Sequence, residues 1–241
     1  NGDFSQEGAE QITNGSFDTD TNWTKGTGWS ISGGSANCDG TQSANAALVQ
    51  QNGIKGAIID FVVGKTYKVN FDIVVTSGNI TNIEVANGYD GSNITTSGNH
   101  TTYITAVSTN DRLTITGNPD FTGSIDNVSV KEVGQDWTLG TGVTIGENKA
   151  IFTSTASGQS VSQNAVASSL TNGALAKVSF EVLSRTQGSF GVYFSGTLVG
   201  TLASAGVFTG YFTKGTETSF YIRALGTTSG SISNIKVIEI S

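Results

Sequence analysis

The sequence predicts an all-β protein built as two tandem antiparallel β-sandwiches of jelly-roll type, and three observations carry that prediction. The stretch Ser124-Ile125-Asp126-Asn127-Val128-Ser129-Val130-Lys131-Glu132-Val133 returns at the C-terminus as Ser231-Ile232-Ser233-Asn234-Ile235-Lys236-Val237-Ile238-Glu239-Ile240. Each copy spaces its apolar residues two apart (Val128 and Val130; Ile235 and Val237), the period of a strand with one buried face. The composition agrees: 32 Gly but 1 Pro in 241 residues, with Ser, Thr and Asn crowding the gaps between short apolar runs. Such a chain makes many short strands joined by tight turns. About eight strands per module suit a two-sheet sandwich. Only Ala165 to Leu170 approaches a helical window, and it is too short to form a stable helix.

Taken in order, Asn1-Gly2-Asp3-Phe4 is echoed by Asn14-Gly15-Ser16-Phe17. An Asn-Gly pair offers a positive-φ turn that delivers the following Phe to a core. The second copy opens module one (residues 11–133). The first has no module directly behind it, so residues 1–10 are expected to be a linker remnant or an extra edge strand. Module two is expected to span residues 134–241, joined at Gly134. Asn22-Trp23-Thr24 through Gly28-Trp29-Ser30-Ile31 matches Asp136-Trp137-Thr138 through Gly142-Val143-Thr144-Ile145. Further on, Lys68-Val69-Asn70-Phe71-Asp72-Ile73 matches Lys177-Val178-Ser179-Phe180-Glu181-Val182, a period-two strand with Val, Phe and Ile or Val facing inward. Leu113-Thr114-Ile115 then matches Phe220-Tyr221-Ile222 ahead of each closing strand. The Asn before each alternation, Asn127 and Asn234, is expected to cap a neighbouring backbone group at a bend.

Charge and cysteine content exclude several function classes. The net charge of −7 and the pI near 4.6 argue against a nucleic-acid partner, which needs a basic stripe. The balance is uneven, with 14 acids and 6 bases in residues 1–133 against 5 acids and 6 bases in residues 134–241. Cys38 is the sole cysteine and His100 the sole histidine, so there is no intramolecular disulfide, no His/Cys metal site and no obvious catalytic triad. Cys38 falls where module two has Phe152 and reads as a small buried residue. Asp72 and Glu181, the carboxylates that repeat between modules, read as solvated strand positions rather than a catalytic couple. No apolar run approaches the ~20 residues of a membrane span. A chain that opens on Asn1 without a signal peptide is expected to be a piece of a longer polypeptide.

Together, Asn14-Gly15-Ser16-Phe17, the tryptophan after it, Gly26-Thr27-Gly28-Trp29 and Ser124-Ile125-Asp126-Asn127-Val128 resemble a module common in tail-fibre and other appendage proteins of bacteriophages. The same frame is similar to the jelly-roll carbohydrate-binding modules of xylanases and glucanases. The resemblance covers both modules, although module two lacks the opening Asn-Gly-x-Phe and has Val143 for Trp29 and Ser233 for Asp126. It implies a non-enzymatic virion-surface or extracellular segment that binds cell-surface glycan and neighbours other virion proteins. A fibre setting implies a homotrimer, though no heptads enforce one. Two alternatives stay open: a spacer or decoration domain that binds nothing, and an ancillary carbohydrate-binding module of a secreted polysaccharide hydrolase. The resemblance further implies a structural calcium in module one, with Asp18, Asp20 and Asp126 as oxygen ligands.

Sugars are held by aromatic faces with polar groups bonding the hydroxyls. The loop residues of that chemistry in module one are Trp29, Tyr89, Asp90, His100 and Tyr103; in module two they are Tyr193, Tyr211 and Arg223. Trp29 alternates with Ile31 and is either core or ligand platform. Trp23 and Trp137 recur at one equivalent site and read as core anchors. Tyr89, in the Gly-bounded run Asn87-Gly88-Tyr89-Asp90-Gly91, has little to pack on and is the foremost ligand candidate.

Overall fold

The computed structural model describes residues 2–91, 93–164, 169–216 and 218–240, so residues 165–168 of the helical window lie outside them. Every element whose bounds fall among the described residues is a β-strand. The chain folds as two compact units: Gly8–Glu132, and Val133–Ser241 together with Asn1–Glu7. Module two is therefore split, and module one is inserted after its first residues.

Module one contains β1 (Glu7–Glu10), β2 (Thr24–Lys25), β3 (Trp29–Ser32), β4 (Ser35–Asp39), β5 (Ala46–Gln51), β6 (Thr66–Ser77), β7 (Ile80–Val85), β8 (Gly88–Asp90), β9 (Gly98–Thr105), β10 (Arg112–Gly117) and β11 (Thr122–Val133). One layer runs β3-β4-β11-β6-β9, with β1 also on β11; the second runs β2-β5-β10-β7-β8. Tyr67, Val69, Phe71 and Ile73 of β6 are buried, as the period-two pattern requires.

Module two contains β12 (Thr138–Leu139), β13 (Val143–Gly146), β14 (Lys149–Thr155), β15 (Ser160–Ser162), β16 (Leu175–Phe194), β17 (Thr197–Leu202), β18 (Gly206–Thr213) and β19 (Phe220–Glu239). Its two long strands serve both layers. The first half of β16 pairs β18 and the second half pairs β17, while β19 follows along both. The layers β13-β14-β19-β16-β18 and β12-β15-β19-β16-β17 thus repeat the order of module one. Module one cuts the equivalent strands at Gly78 and at Asn118-Pro119-Asp120, where proline supplies no ladder donor. Module two instead bends through the crossing, with register shifts between Val182 and Ser189 and a positive φ at Gly188.

Of the two readings of residues 1–10, linker remnant or extra edge strand, the second holds for Glu7–Glu10 and neither describes the residues before them. Glu7–Glu10 do form a strand on β11, but Gly2 to Gln6 complete module two. Ile235 N–H donates to Gly2 O at 2.9 Å, as Val128 N–H donates to Gly15 O at 2.9 Å. Phe4 is 1% exposed and its ring lies 4.9 Å from Trp137, as Phe17 lies 5.1 Å from Trp23. Both phenylalanines have positive φ, 57° and 51°, a conformation that a bulky residue adopts only when packing holds it. Glycine is needed before them: a Cβ on Gly2 or Gly15 would stand 1.7 or 1.9 Å from the carbonyl oxygen of Ile235 or Val128. The Asn-Gly-x-Phe signature that module two lacks after Gly134 is thus the one at the start of the chain.

The closing-strand asparagines also differ from expectation. Asn127 and Asn234 take positive φ (51° and 54°), but their amides reach across to carboxylates rather than capping backbone. Asn127 donates to Asp72 at 2.9 Å and Asn234 to Glu181 at 2.7 Å. A left-handed residue turns its side chain out of the pleat, toward the neighbouring strand. Hydrogen bonds from Asn99 and then Asn127 hold the Asp72 carboxyl below the usual carboxylate range.

Cys38 and Phe152 sit in matching pairs of opposite size. Trp29 faces Cys38, whereas Val143 faces Phe152. The Trp29→Val substitution is expected to cost about 2–4 kcal/mol through the cavity it leaves. Adding Cys38→Phe restores the pairing of module two, and denaturant titration should show a favourable coupling of about 0.5–3 kcal/mol.

Candidate functional site

The outer face of the second layer carries aromatic and polar side chains that no core requires. Pairing through β2, β5, β10, β7 and β8 lines up Thr24, Val49, Thr114, Glu84 and Tyr89 in one cross-strand row. Tyr89 is 74% exposed. Beside this row, Asn82 faces Thr116 and Thr116 faces Ala47. From the other side, Arg112 donates through Nη2 to Glu84 Oε1 at 2.6 Å, forming an ion pair. In module two the equivalent row is Thr138, Ser162, Tyr221, Tyr193 and Leu198. The Tyr193 and Tyr221 rings stack at 5.0 Å, and Arg223 lies over both, at 4.9 and 4.7 Å from their centroids.

Four buried side-chain polar atoms have no hydrogen-bond partner among the described residues: Asn82 Oδ1, Arg112 Nε, Thr114 Oγ1 and Arg223 Nε. All four belong to residues of this face. Leaving such a group unpaired costs about 1–3 kcal/mol, so native structures hold few of them. These inaccessible atoms lie beneath one face of both modules, the face that carries exposed Tyr89 and half-buried Tyr193 and Tyr221. A flat ring and convergent polar groups are the parts that hold a sugar.

The sequence candidates are not brought together. Trp29 is core, 6% exposed, its ring 5.6 Å from Phe121 and its Nε1 donating to Ala46 O at 3.1 Å; as a ligand platform it is corrected. Tyr89 alone of the module-one candidates stands on the second-layer face. Asp90 turns to the rim between layers, where it accepts from Thr102 Oγ1 at 2.6 Å. His100 occupies the same rim, stacked on Phe71 at 6.0 Å and bonded through Nε2 to Thr96 O at 2.9 Å. Tyr103 pairs with Lys68 on the outer face of the first layer. In module two, Tyr193 and Arg223 do converge, while Tyr211 sits opposite Lys177 on the first layer. The residues that sequence reasoning missed, Asn82, Glu84, Arg112, Thr114 and Tyr221, are alternate positions of short strands. Their only sequence signal is that they are polar or aromatic at outward-facing positions.

The three carboxylates expected to hold calcium are not brought together either. Asp18 accepts from Ser16 Oγ at 2.7 Å, Asp20 pairs with Lys25, and Asp126 accepts from the Asn127 N–H at 2.6 Å. Among the described residues, no three His, Cys, Asp or Glu side chains converge to hold a metal ion. Asp126 instead lines an open groove of about 490 Å³ on the first layer of module one, with Asp72, Asn99 and Asn127.

No protein-family model and no curated protein matches the chain. Among solved structures, the N-terminal CBM22-1–CBM22-2 tandem domain of Xyn10C from Paenibacillus barcinonensis aligns over 98% of this chain and 99% of that one, with 11% identity and a TM-score of 0.37. The tandem CBM51 modules of Sp3GH98, the family 98 glycoside hydrolase from Streptococcus pneumoniae SP3-BS71, align over 85% of this chain and 83% of theirs, with 6% identity and a TM-score of 0.26. At such values neither likeness carries an argument about function.

Proposed function

We propose that this chain is a non-enzymatic segment of a phage appendage that binds cell-surface carbohydrate on the outer face of the second layer of each module. One observation carries the binding reading: an exposed Tyr89 stands in register with Glu84, itself ion-paired with Arg112, on the face that holds the unpartnered polar atoms. The tyrosine ring supplies a flat apolar surface for the C–H faces of a pyranose, and Asn82, Glu84 and Arg112 supply donors and acceptors for its hydroxyls. The appendage setting rests on the sequence resemblance alone. The flanking chain separates it from an ancillary module of a secreted polysaccharide hydrolase, which would carry a catalytic domain next to this segment.

The burial of Trp29 is what a spacer reading would expect, and the exposure of Tyr89 opposes it. Tyr89→Ala is expected to weaken glycan binding by module one at least about tenfold, equivalent to about 1.4 kcal/mol, with the melting temperature unchanged. A glycan array followed by calorimetry on the best hit checks this. Absence of any glycan or whole-cell binding by the intact chain would establish the spacer reading.

A further inference from the structure

We propose that the Tyr193–Tyr221–Arg223 cluster of module two is a site for a sugar that carries a carboxylate, which assigns the second module a ligand class different from that of the first. The inference rests on the glycan-binding reading and concerns the charge of the ligand.

The two modules place an arginine on the same face with opposite electrostatic settings. Arg112 is neutralised by Glu84 at 2.6 Å. By register, Tyr193 occupies in module two the place of Glu84, because each sits opposite the middle residue of the aligned triplet: Glu84 faces Thr114 and Tyr193 faces Tyr221. The acid has been exchanged for a ring. Among the described residues the Arg223 side chain has no acidic partner and no hydrogen bond, and it lies over the two tyrosine rings. A guanidinium held over aromatic rings engages its charge without using its N–H donors, and with Nε buried it is the two Nη groups of Arg223 that remain for an acceptor. The acceptor that matches those two groups is a carboxylate, held through two parallel charge-assisted bonds.

The surroundings suit a sugar bearing that group. Ser160 lies opposite Arg223 and Ser162 opposite Tyr221, so β15 lines one side with hydroxyls. Gly191 lies opposite Arg223 on the other side. A Cβ there would come within 3.0–3.3 Å of Leu225, Tyr193 and Leu198. Glycine therefore lets these side chains close over the strand as an apolar wall for ring carbons. Module two, counted with its first seven residues, carries 7 acids against 6 bases, whereas residues 8–132 carry 12 acids against 6 bases. The strongly acidic half would repel an anionic glycan, and the half that holds Arg223 does not.

The test uses the full chain and a panel of uronic- and sialic-acid oligosaccharides, each beside its carboxyl-reduced form, in titration calorimetry at low and high salt. The expected result is that at least one acidic oligosaccharide binds about tenfold or more tightly than its reduced form, and that salt erodes the difference. Arg223→Gln should abolish the preference, Arg223→Lys should retain part of it, and Tyr89→Ala should leave it intact. Equal binding of acidic and reduced forms across the panel, or a preference that survives in Arg223→Gln, overturns the assignment. Neutral glycan binding that is lost in Tyr89→Ala, with no acidic preference anywhere, sinks this inference and spares the general reading. No binding of any panel member by the wild type sinks both.

Discussion

Phe4→Ala is expected to destabilise module two by about 3–5 kcal/mol, although every other residue of that module's core follows module one in the chain. Phe4 is almost wholly buried against Trp137, whose ring also meets Phe220 at 6.3 Å. Truncation leaves a cavity that neighbouring strands cannot fill, because the Gly2–Ile235 backbone contact fixes where the segment enters. It also removes the side chain whose packing compensates a positive φ. Hydrogen exchange checks the location as well as the size of the effect: amides of β16 and β19 should lose protection while those of β6 and β11 keep theirs. Deleting residues 1–6 should act in the same sense and more strongly. Unchanged protection in β16 and β19 would mean that these residues are the linker that their sequence position suggests.

Trp23→Ala is expected to produce a comparable loss, about 3–5 kcal/mol, in module one. Trp23 is 0% exposed, packs against Phe17 and donates through Nε1 to Asn14 O at 2.9 Å. Alanine would leave a void and would strip Asn14 O of its shorter donor, leaving it only the Phe17 N–H at 3.3 Å, and the two costs fall on different groups. Trp23→Phe separates them, since it refills most of the void and still lacks the donor. Chemical denaturation should place it between wild type and alanine. The exchange pattern should mirror that of Phe4→Ala, with β6 and β11 losing protection. Equal stability of the phenylalanine variant and the wild type would show that the indole hydrogen bond contributes nothing.

Much of the fold was legible because its signals are local. Period-two runs such as Lys68 to Ile73 and Lys177 to Val182 name their inward faces without reference to any partner. The internal repeat pairs the two closing strands, and the structure gives both modules one strand order. The tryptophan pair was legible for the same reason, because Trp23 and Trp137 hold equivalent positions and both are buried. The site was less legible. Trp29 and Tyr89 are both aromatics beside glycines, and only strand pairing shows that one turns toward Phe121 while the other stands beside Glu84. Asp18, Asp20 and Asp126 looked like a ligand set, yet each finds its own partner nearby.

By itself the sequence determined that the chain is all-β, that it contains two like-built modules, and which residues of the main strands face inward. Only the tertiary structure decided which module owns the first Asn-Gly-x-Phe, and which arginine lies beside an acid. The physical reason is range. Strand period and turn chemistry act between residues a few positions apart, whereas the Phe4–Trp137 contact and the company of Arg112 and Arg223 are set by pairing between strands far apart in the chain.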